Sequence, residues 1–330
     1  MTGTNGLLFL AALPLLVACE TPSVAPMQDP AESGVHFLIP GAPGGGWDGT
    51  ARGVGESLRR SGLVRRTSYE NLSGGGGGRA LAHLIATAPR QQSTLMIGST
   101  PFLIQALRGR NPQTYRELTP ICSVIGDYLS FVVRDDSMVR SWGDLVEGFD
   151  EHPRDFKFAG GSVLGGLDHL GTALAIEAAG GAPSEVRYVP YDTGGKAMAA
   201  LLSGETAVLT TGIGEAVEAW RAGLVRILAV TSPERVAAIS EVPTLRELGT
   251  DVEFVNWRGF FAAPDLKAER VEAWIDLVAR LLETEEWESV RQRNGWVEIF
   301  HTGPGFAAFL GEQEQALAPL LARLEGAGER

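Results

Sequence analysis

The sequence predicts an α/β protein of two similar lobes facing each other, each a mostly parallel sheet flanked by helices. Two observations carry this. From Val35 onward, short apolar runs alternate with helical patterns, as in strands joined by crossover helices. A strand, a glycine-rich loop and a helix start recur four times, twice in each half, with matching units about 120 residues apart.

In chain order, the apolar runs place strands at Val35–Ile39, Ser68–Asn71, Thr94–Gly98, Phe131–Arg134, Phe156–Ala159, Val186–Val189, Ala207–Thr210 and Ile227–Thr231. The helical spacing places helices at Gly49–Ser61, Arg79–Ala86, Phe102–Arg108, Ser141–Phe149, Leu167–Ala179, Lys196–Leu202, Gly214–Ala222, Thr244–Glu247, Ala268–Leu282, Glu285–Asn294 and Gly305–Leu324. The first lobe is expected at 35–131 plus 257–330 and the second at 132–256. The chain then crosses between lobes twice, near Phe131–Arg134 and Val255–Phe260.

Size, charge and cysteine content narrow the function. The chain has 330 residues, enough for two ordinary compact units. Its net charge of −12 argues against nucleic acid, because duplex binding needs clustered cations. It leaves open a small acidic ligand, which senses local dipoles more than total charge. Cys122 lies in an apolar stretch and reads as a buried structural thiol. The five histidines are not at metal-ligand spacing, and no hydrolase elbow, P-loop or zinc-protease motif occurs. No catalytic residue, metal or cofactor is expected.

The N-terminal stretch sets the compartment. Leu7 to Cys19 is apolar, too short to span a bilayer and the length of a signal-peptide core. Leu16-Val17-Ala18-Cys19 resembles the lipobox of bacterial lipoproteins, so Cys19 is expected to carry lipid; an ordinary cleaved signal or a stray apolar N-terminus is the alternative. Residues 20–34, rich in Pro, Ala and Ser, read as a flexible tether. The protein is thus expected outside the cytoplasm, in the periplasm, anchored to a membrane and monomeric.

The four glycine loops carry the chemistry. Glycine lets backbone N–H groups approach a ligand without a Cβ in the way. A helix start adds unpaired donors and the positive end of a dipole. Together they favour an anion. Candidate ligand contacts in the first loop are Gly44, Gly45, Gly46, Trp47 and Asp48. The second loop offers Ser73, Gly75 and Gly76. The third offers Ser162, Gly165, Gly166 and Asp168, and the fourth Thr193, Gly194 and Gly195. Ser99 follows the third expected strand and adds a hydroxyl. Asp48 and Asp168 stand at helix starts, where they either cap the helix or orient the loop and accept from a ligand. Trp47 is either a cleft wall or ordinary packing. The nearest cations are Arg52, Arg79, Lys196 and Arg258.

Residues Gly44 to Gly49 also satisfy G-x-G-x-x-G between a strand and a helix, with Glu70 about 20 residues on. A Rossmann-type, NAD(P)-dependent oxidoreductase is therefore the alternative. Pro40, Pro43, the signal segment and the five-glycine block after Glu70 argue against it.

Six segments, in order along residues 35–265, carry a family resemblance: Pro43 to Arg52, Asn71 to Gly78, Gly160 to Leu170, Val189 to Gly195, Val225 to Ser232 and Glu241 to Gly249. With them the chain resembles the extracytoplasmic substrate-binding receptors of tripartite tricarboxylate transporters, the Bug-type receptors. The Gly-Gly-Gly-Trp-Asp form and Asn256-Trp257-Arg258-Gly259 look like its tricarboxylate branch. The resemblance implies a type II periplasmic-binding-protein-like clamshell, a small organic carboxylate held by the glycine loops, and delivery to the transporter's membrane permease subunits. A sensor that presents its ligand to a signalling partner is a further alternative.

Overall fold

A computed structural model describes residues 34–328; the apolar segment, Cys19 and the tether lie outside the described residues. Among the described residues, ten strands and ten α-helices follow in chain order. The strands are β1 (Val35–Ile39), β2 (Thr67–Asn71), β3 (Thr94–Ser99), β4 (Thr119–Arg134), β5 (Lys157–Gly160), β6 (Arg187–Pro190), β7 (Val208–Gly212), β8 (Val225–Val230), β9 (Val255–Ala262) and β10 (Val297–Glu298). The helices are α1 (Gly46–Arg60), α2 (Gly78–Ala86), α3 (Thr100–Leu107), α4 (Trp142–Glu151), α5 (Leu167–Ala178), α6 (Gly194–Ser203), α7 (Ile213–Arg221), α8 (Ala268–Leu282), α9 (Glu285–Arg293) and α10 (Gly303–Gly328).

The strands lie in the order β2-β1-β3-β9-β4-β7-β5-β6, with β8 and β10 also paired to β4. Two parallel trios, β2-β1-β3 and β6-β5-β7, form the outer parts. Between them β9 and β4 run antiparallel to their neighbours, so the sheet is mixed. β4 belongs to both lobes. Its residues Thr119 to Tyr128 pair with β9, and from Leu129 its partners become β7 and β8. The return crossing lies beside it. Thr231 is fully buried; its N–H donates to the Leu129 carbonyl, its Oγ1 accepts from the Leu129 N–H at 3.0 Å, and that hydroxyl donates to the Phe254 carbonyl at 2.6 Å. One hydroxyl thus ties the two crossing strands together.

Both faces of the first-lobe sheet are covered, as crossover helices require. Along β1, Val35, Phe37 and Ile39 enter a core with Trp274 and Trp287, while Leu38 enters another with Phe102 and Trp257. That second core continues through Leu129 and Phe254 to Phe131, Trp142 and Leu170 of the second lobe. Trp274 is fully buried, and its loss to alanine costs about 3–5 kcal/mol.

Two expectations are corrected. Thr244–Glu247 is a turn, not a helix: Thr244 Oγ1 accepts from the Glu247 N–H at 3.1 Å, while the Glu247 carboxylate accepts from the Thr244 N–H at 2.9 Å. Such reciprocal bonds satisfy a short turn and mimic a helix start. The expected strand at Phe131–Arg134 is only the end of β4. Register shifts between Pro120 and Cys122 and between Ser123 and Ile125 break the two-residue alternation that marks a strand.

Strands β1, β2, β5 and β6 each run into a loop and then the start of a helix, and β3 and β7 pass into a helix at the next residue. Their carboxyl ends face one crevice between the lobes, the usual ligand position in α/β sheets.

Candidate functional site

The crevice holds a cavity of about 700 Å³ lined by loops from both lobes. Gly45, Gly46, Trp47, Ser73, Gly75, Gly76, Ser99, Ser162, Gly166, Asp168, Thr193 and Gly194 line it. Gly44, Asp48, Gly165 and Gly195 do not; they support the loops or face outward.

Asp48 braces the first loop from beneath. Gly45 is the N-cap of α1, which places Asp48 in its first turn. Its carboxylate accepts from the Gly44 N–H at 3.0 Å, Arg52 Nε at 2.9 Å and Asn71 Nδ2 at 3.0 Å. Burial raises its pKa, but the bonds from Arg52, Gly44 and Asn71 outweigh that and hold it below the usual carboxylate value. Gly44 turns the loop at φ +81°, a left-handed conformation that favours glycine. Trp47 is both wall and packing: its Nε1 donates to Ser99 Oγ at 2.8 Å and its ring lies 5.7 Å from Phe102.

The second loop needs its glycines. Gly74, Gly75, Gly76 and Gly77 have φ of +136°, +59°, +61° and +98°. Four consecutive left-handed residues are costly for any residue with a Cβ. They turn the chain from β2 into α2, and Arg79 folds back onto the Ser73 carbonyl at 3.5 Å.

In the second lobe, Ser162 Oγ accepts from the Asp168 N–H at 3.0 Å, and Tyr188 Oη donates to the Ser162 carbonyl at 2.8 Å. Gly166 caps α5 and Thr193 caps α6, the latter with a side-chain bond from the Lys196 N–H at 3.3 Å. Gly165 sits at φ +70°, donates its N–H to His169 Nδ1 at 3.0 Å, and accepts at its carbonyl from Arg108 of the first lobe. Gly195 is exposed beyond the cap. Asp168 does not cap its helix; it is buried and lines the cavity. Burial, then the charge of Glu215, push its carboxyl up to about 7 despite hydrogen bonds from Ser162 and the Gly161 and Ser162 N–H groups.

Arg258, Asn256 and Glu215 also line the cavity and were not among the expected contacts. Arg258 is 3% exposed. Its Nη2 donates to Asp127 Oδ2 and its Nη1 to Thr50 Oγ1, both at 2.8 Å, and its Nε is buried without a partner. Asn256, two residues away on the same face of β9, leaves Oδ1 buried and unpartnered. Glu215 Oε2 accepts from Thr211 Oγ1 at 2.7 Å. The sequence motif Asn256 to Gly259 marked this strand, but only as a crossing with a nearby cation. Nothing in the sequence around Glu215 pointed to it.

The model of the tripartite tricarboxylate transporter family receptor matches residues 51–281. The chain belongs to that receptor family. A Pseudomonas relative, the UPF0065 protein in the tcbD-tcbE intergenic region, is 29% identical over 249 residues, covering 73% of this chain and 72% of its own. An R. palustris structure with adipate is 24% identical, with a TM-score of 0.79, covering 90% of the receptor and 98% of that chain. MatC from Rhodopseudomonas palustris with bound malate is 21% identical, with a TM-score of 0.75, covering 88% and 99%. The fold of the receptor is therefore the two-lobed, periplasmic-binding-protein type. Receptors of this family are periplasmic solute-binding proteins. The G-x-G-x-x-G match at Gly44–Gly49 is a receptor loop. A dinucleotide-binding sheet has no antiparallel strand inserted as β9 is here, and Glu70 pairs with His36 at 3.6 Å.

Proposed function

We propose that this receptor captures a small organic di- or tricarboxylate in the crevice and passes it to the permease of a tripartite transporter, without chemistry on it. The observation that carries the reading is Arg258: a nearly fully buried guanidinium lining the cavity with its Nε unpartnered, against the start of α1 and in one cavity with the starts of α5 and α6. Each helix terminus contributes about 0.3–1 kcal/mol when exposed and up to about 2 when partly buried. A hydrogen bond to a charged group adds about 1.5–3 kcal/mol. Several such terms in one dry cleft reach the ~8 kcal/mol of micromolar binding. The malate and adipate in the two related structures fit the same chemistry.

The ligand contacts are those expected residues that line the cavity, joined by Arg258 and Asn256. The lobes divide where β4 changes partners, near Tyr128, and again near Phe254. The protein acts in the periplasm, anchored through lipid on Cys19; the apolar run ending at that cysteine supports this. A thermal-shift screen with malate, adipate, citrate and NAD tests the ligand class. Ligand at a hundredfold excess over Kd adds about 2.7 kcal/mol of stability. A raised Tm with a carboxylate and none with NAD is expected; stabilisation by NAD alone would overturn the reading. Intact-mass analysis of membrane-extracted protein tests the anchor.

A further inference from the structure

The ionisable groups around the cavity are unevenly divided. Arg258 is matched by Asp127, at 2.8 Å. Asp168 and Glu215 both line the second-lobe wall, and neither forms an ion pair among the described residues. Their partners are neutral donors: Ser162 and the Gly161 and Ser162 N–H groups for Asp168, Thr211 and the Gly194 N–H for Glu215. These bonds use loop donors that a bound anion would otherwise take. The other groups facing the pair are Tyr188 beside Asp168, and Arg258 and Asp127 acting on Glu215 through space. His169, next on α5, is turned to Gly165 and stacked on Tyr188 at 4.9 Å. On the same cavity, Arg258 Nε and Asn256 Oδ1 are buried and unpartnered.

Two ionised carboxylates on one wall would repel a carboxylate ligand enclosed with them. We propose that the Asp168–Glu215 pair holds one proton in the ligand-bound cleft and donates it in a hydrogen bond to a ligand carboxylate, so that capture takes up a proton from solvent. The proton resides on a carboxyl oxygen of the pair, and no other bond forms or breaks. The inference rests on the carboxylate reading above. Arg258 and Asn256, on the same cavity, then supply further polar contacts to the ligand. The environment suits the role: burial and the neighbouring Glu215 push the Asp168 carboxyl up to about 7, and burial pushes Glu215 up as well.

Titration calorimetry of the whole protein with malate and with adipate, from about pH 6 to pH 8 in buffers of low and high ionisation enthalpy, tests this. The expected result is a binding enthalpy that varies with the buffer, uptake approaching one proton on the alkaline side, and Kd rising by up to about tenfold per pH unit there. Asp168→Asn or Glu215→Gln, each a neutral isostere, is expected to bind with buffer-independent enthalpy and a flat pH profile. Wild-type binding with buffer-independent enthalpy and unchanging Kd overturns the proposal and leaves the carboxylate reading standing. Aspartate binding more tightly than malate without proton uptake also overturns it, because a ligand ammonium then neutralises the wall. Proton uptake that persists in both variants overturns it by locating the proton elsewhere. No binding of any carboxylate at any pH overturns the carboxylate reading and this inference together.

Discussion

Arg108, at the end of α3 in the first lobe, donates a hydrogen bond to the carbonyl of Gly165 in the second. The bond spans the crevice. A Cβ placed on Gly45 would lie 3.6 Å from Thr193 Cγ2 across the same gap, so the described state has its lobes in near contact.

Arg108→Ala is expected to favour the open state. A charged hydrogen bond is worth about 1.5–3 kcal/mol, so carboxylate Kd should rise by about ten- to a hundredfold. Small-angle scattering of the free protein should show a larger radius of gyration. An unchanged radius with unchanged Kd would mean that the bond does not hold the lobes.

Gly46→Ala should damage binding far more than Gly45→Ala. A Cβ at Gly46 would stand 2.3 Å from Arg258 Nη2, whereas at Gly45 it meets only ordinary contacts. Displacing the guanidinium is expected to weaken carboxylate binding about a hundredfold, or ~3 kcal/mol. Calorimetry on the two variants decides it; equal losses would separate Arg258 from the ligand.

Arg258→Ala should lower stability by about 3–5 kcal/mol, because it leaves Asp127 as a buried carboxylate without its cation. Burial already pushes Asp127 up, against the pull of Arg258. Urea denaturation measures the loss. Adding Asp127→Asn should restore part of it, and no restoration would point to lost packing against Trp296 instead.

Stability should depend on pH in two opposite ways. Asp168 is raised from 3.8 to about 7 on folding, so the folded state binds the extra proton. Its contribution is full below about pH 3.8, declines as pH rises to about 7 and is flat beyond. Asp48 is lowered, so its contribution is present above 3.8 and lost as pH falls through its folded value. Tm against pH for wild type and Asp168→Asn tests the first: the variant should lose the decline between those limits. A decline of equal size in the variant would assign it to another group.

The parallel outer parts were legible because most of their strands are short runs with apolar residues that lead into glycine-rich segments, and α8 matches its expected span, Ala268–Leu282. The four loops were legible because a left-handed turn into a helix needs glycine, as at Gly74 to Gly77. The centre was not. Bulges in β4 break its alternation, and β9 carries Asn256 and Arg258, polar residues buried because they face the cavity. Asp48 was placed at a helix start, but whether its carboxylate capped, braced or met ligand depended on Asn71 and Arg52, which only the fold brings near. Glu215 reaches the site because α7 starts beside the fourth loop, a relation no local pattern records.

The position of β9 has a consequence for how the chain folds. It lies between β3 and β4, yet it is synthesised only after every strand of the second lobe. When β3 and β4 have emerged, their shared slot stands empty, with unpaired backbone edges that cannot pair with each other in the native way. The second lobe, whose other strands β5 to β8 form one unbroken stretch of chain, can assemble first on the far end of β4. Closing the first lobe then awaits residues 255–262, so its contacts are of long sequence separation and form slowly. Until that strand is inserted the nascent protein exposes an unpaired strand edge, the kind of surface that sticks to other chains and that holding chaperones cover.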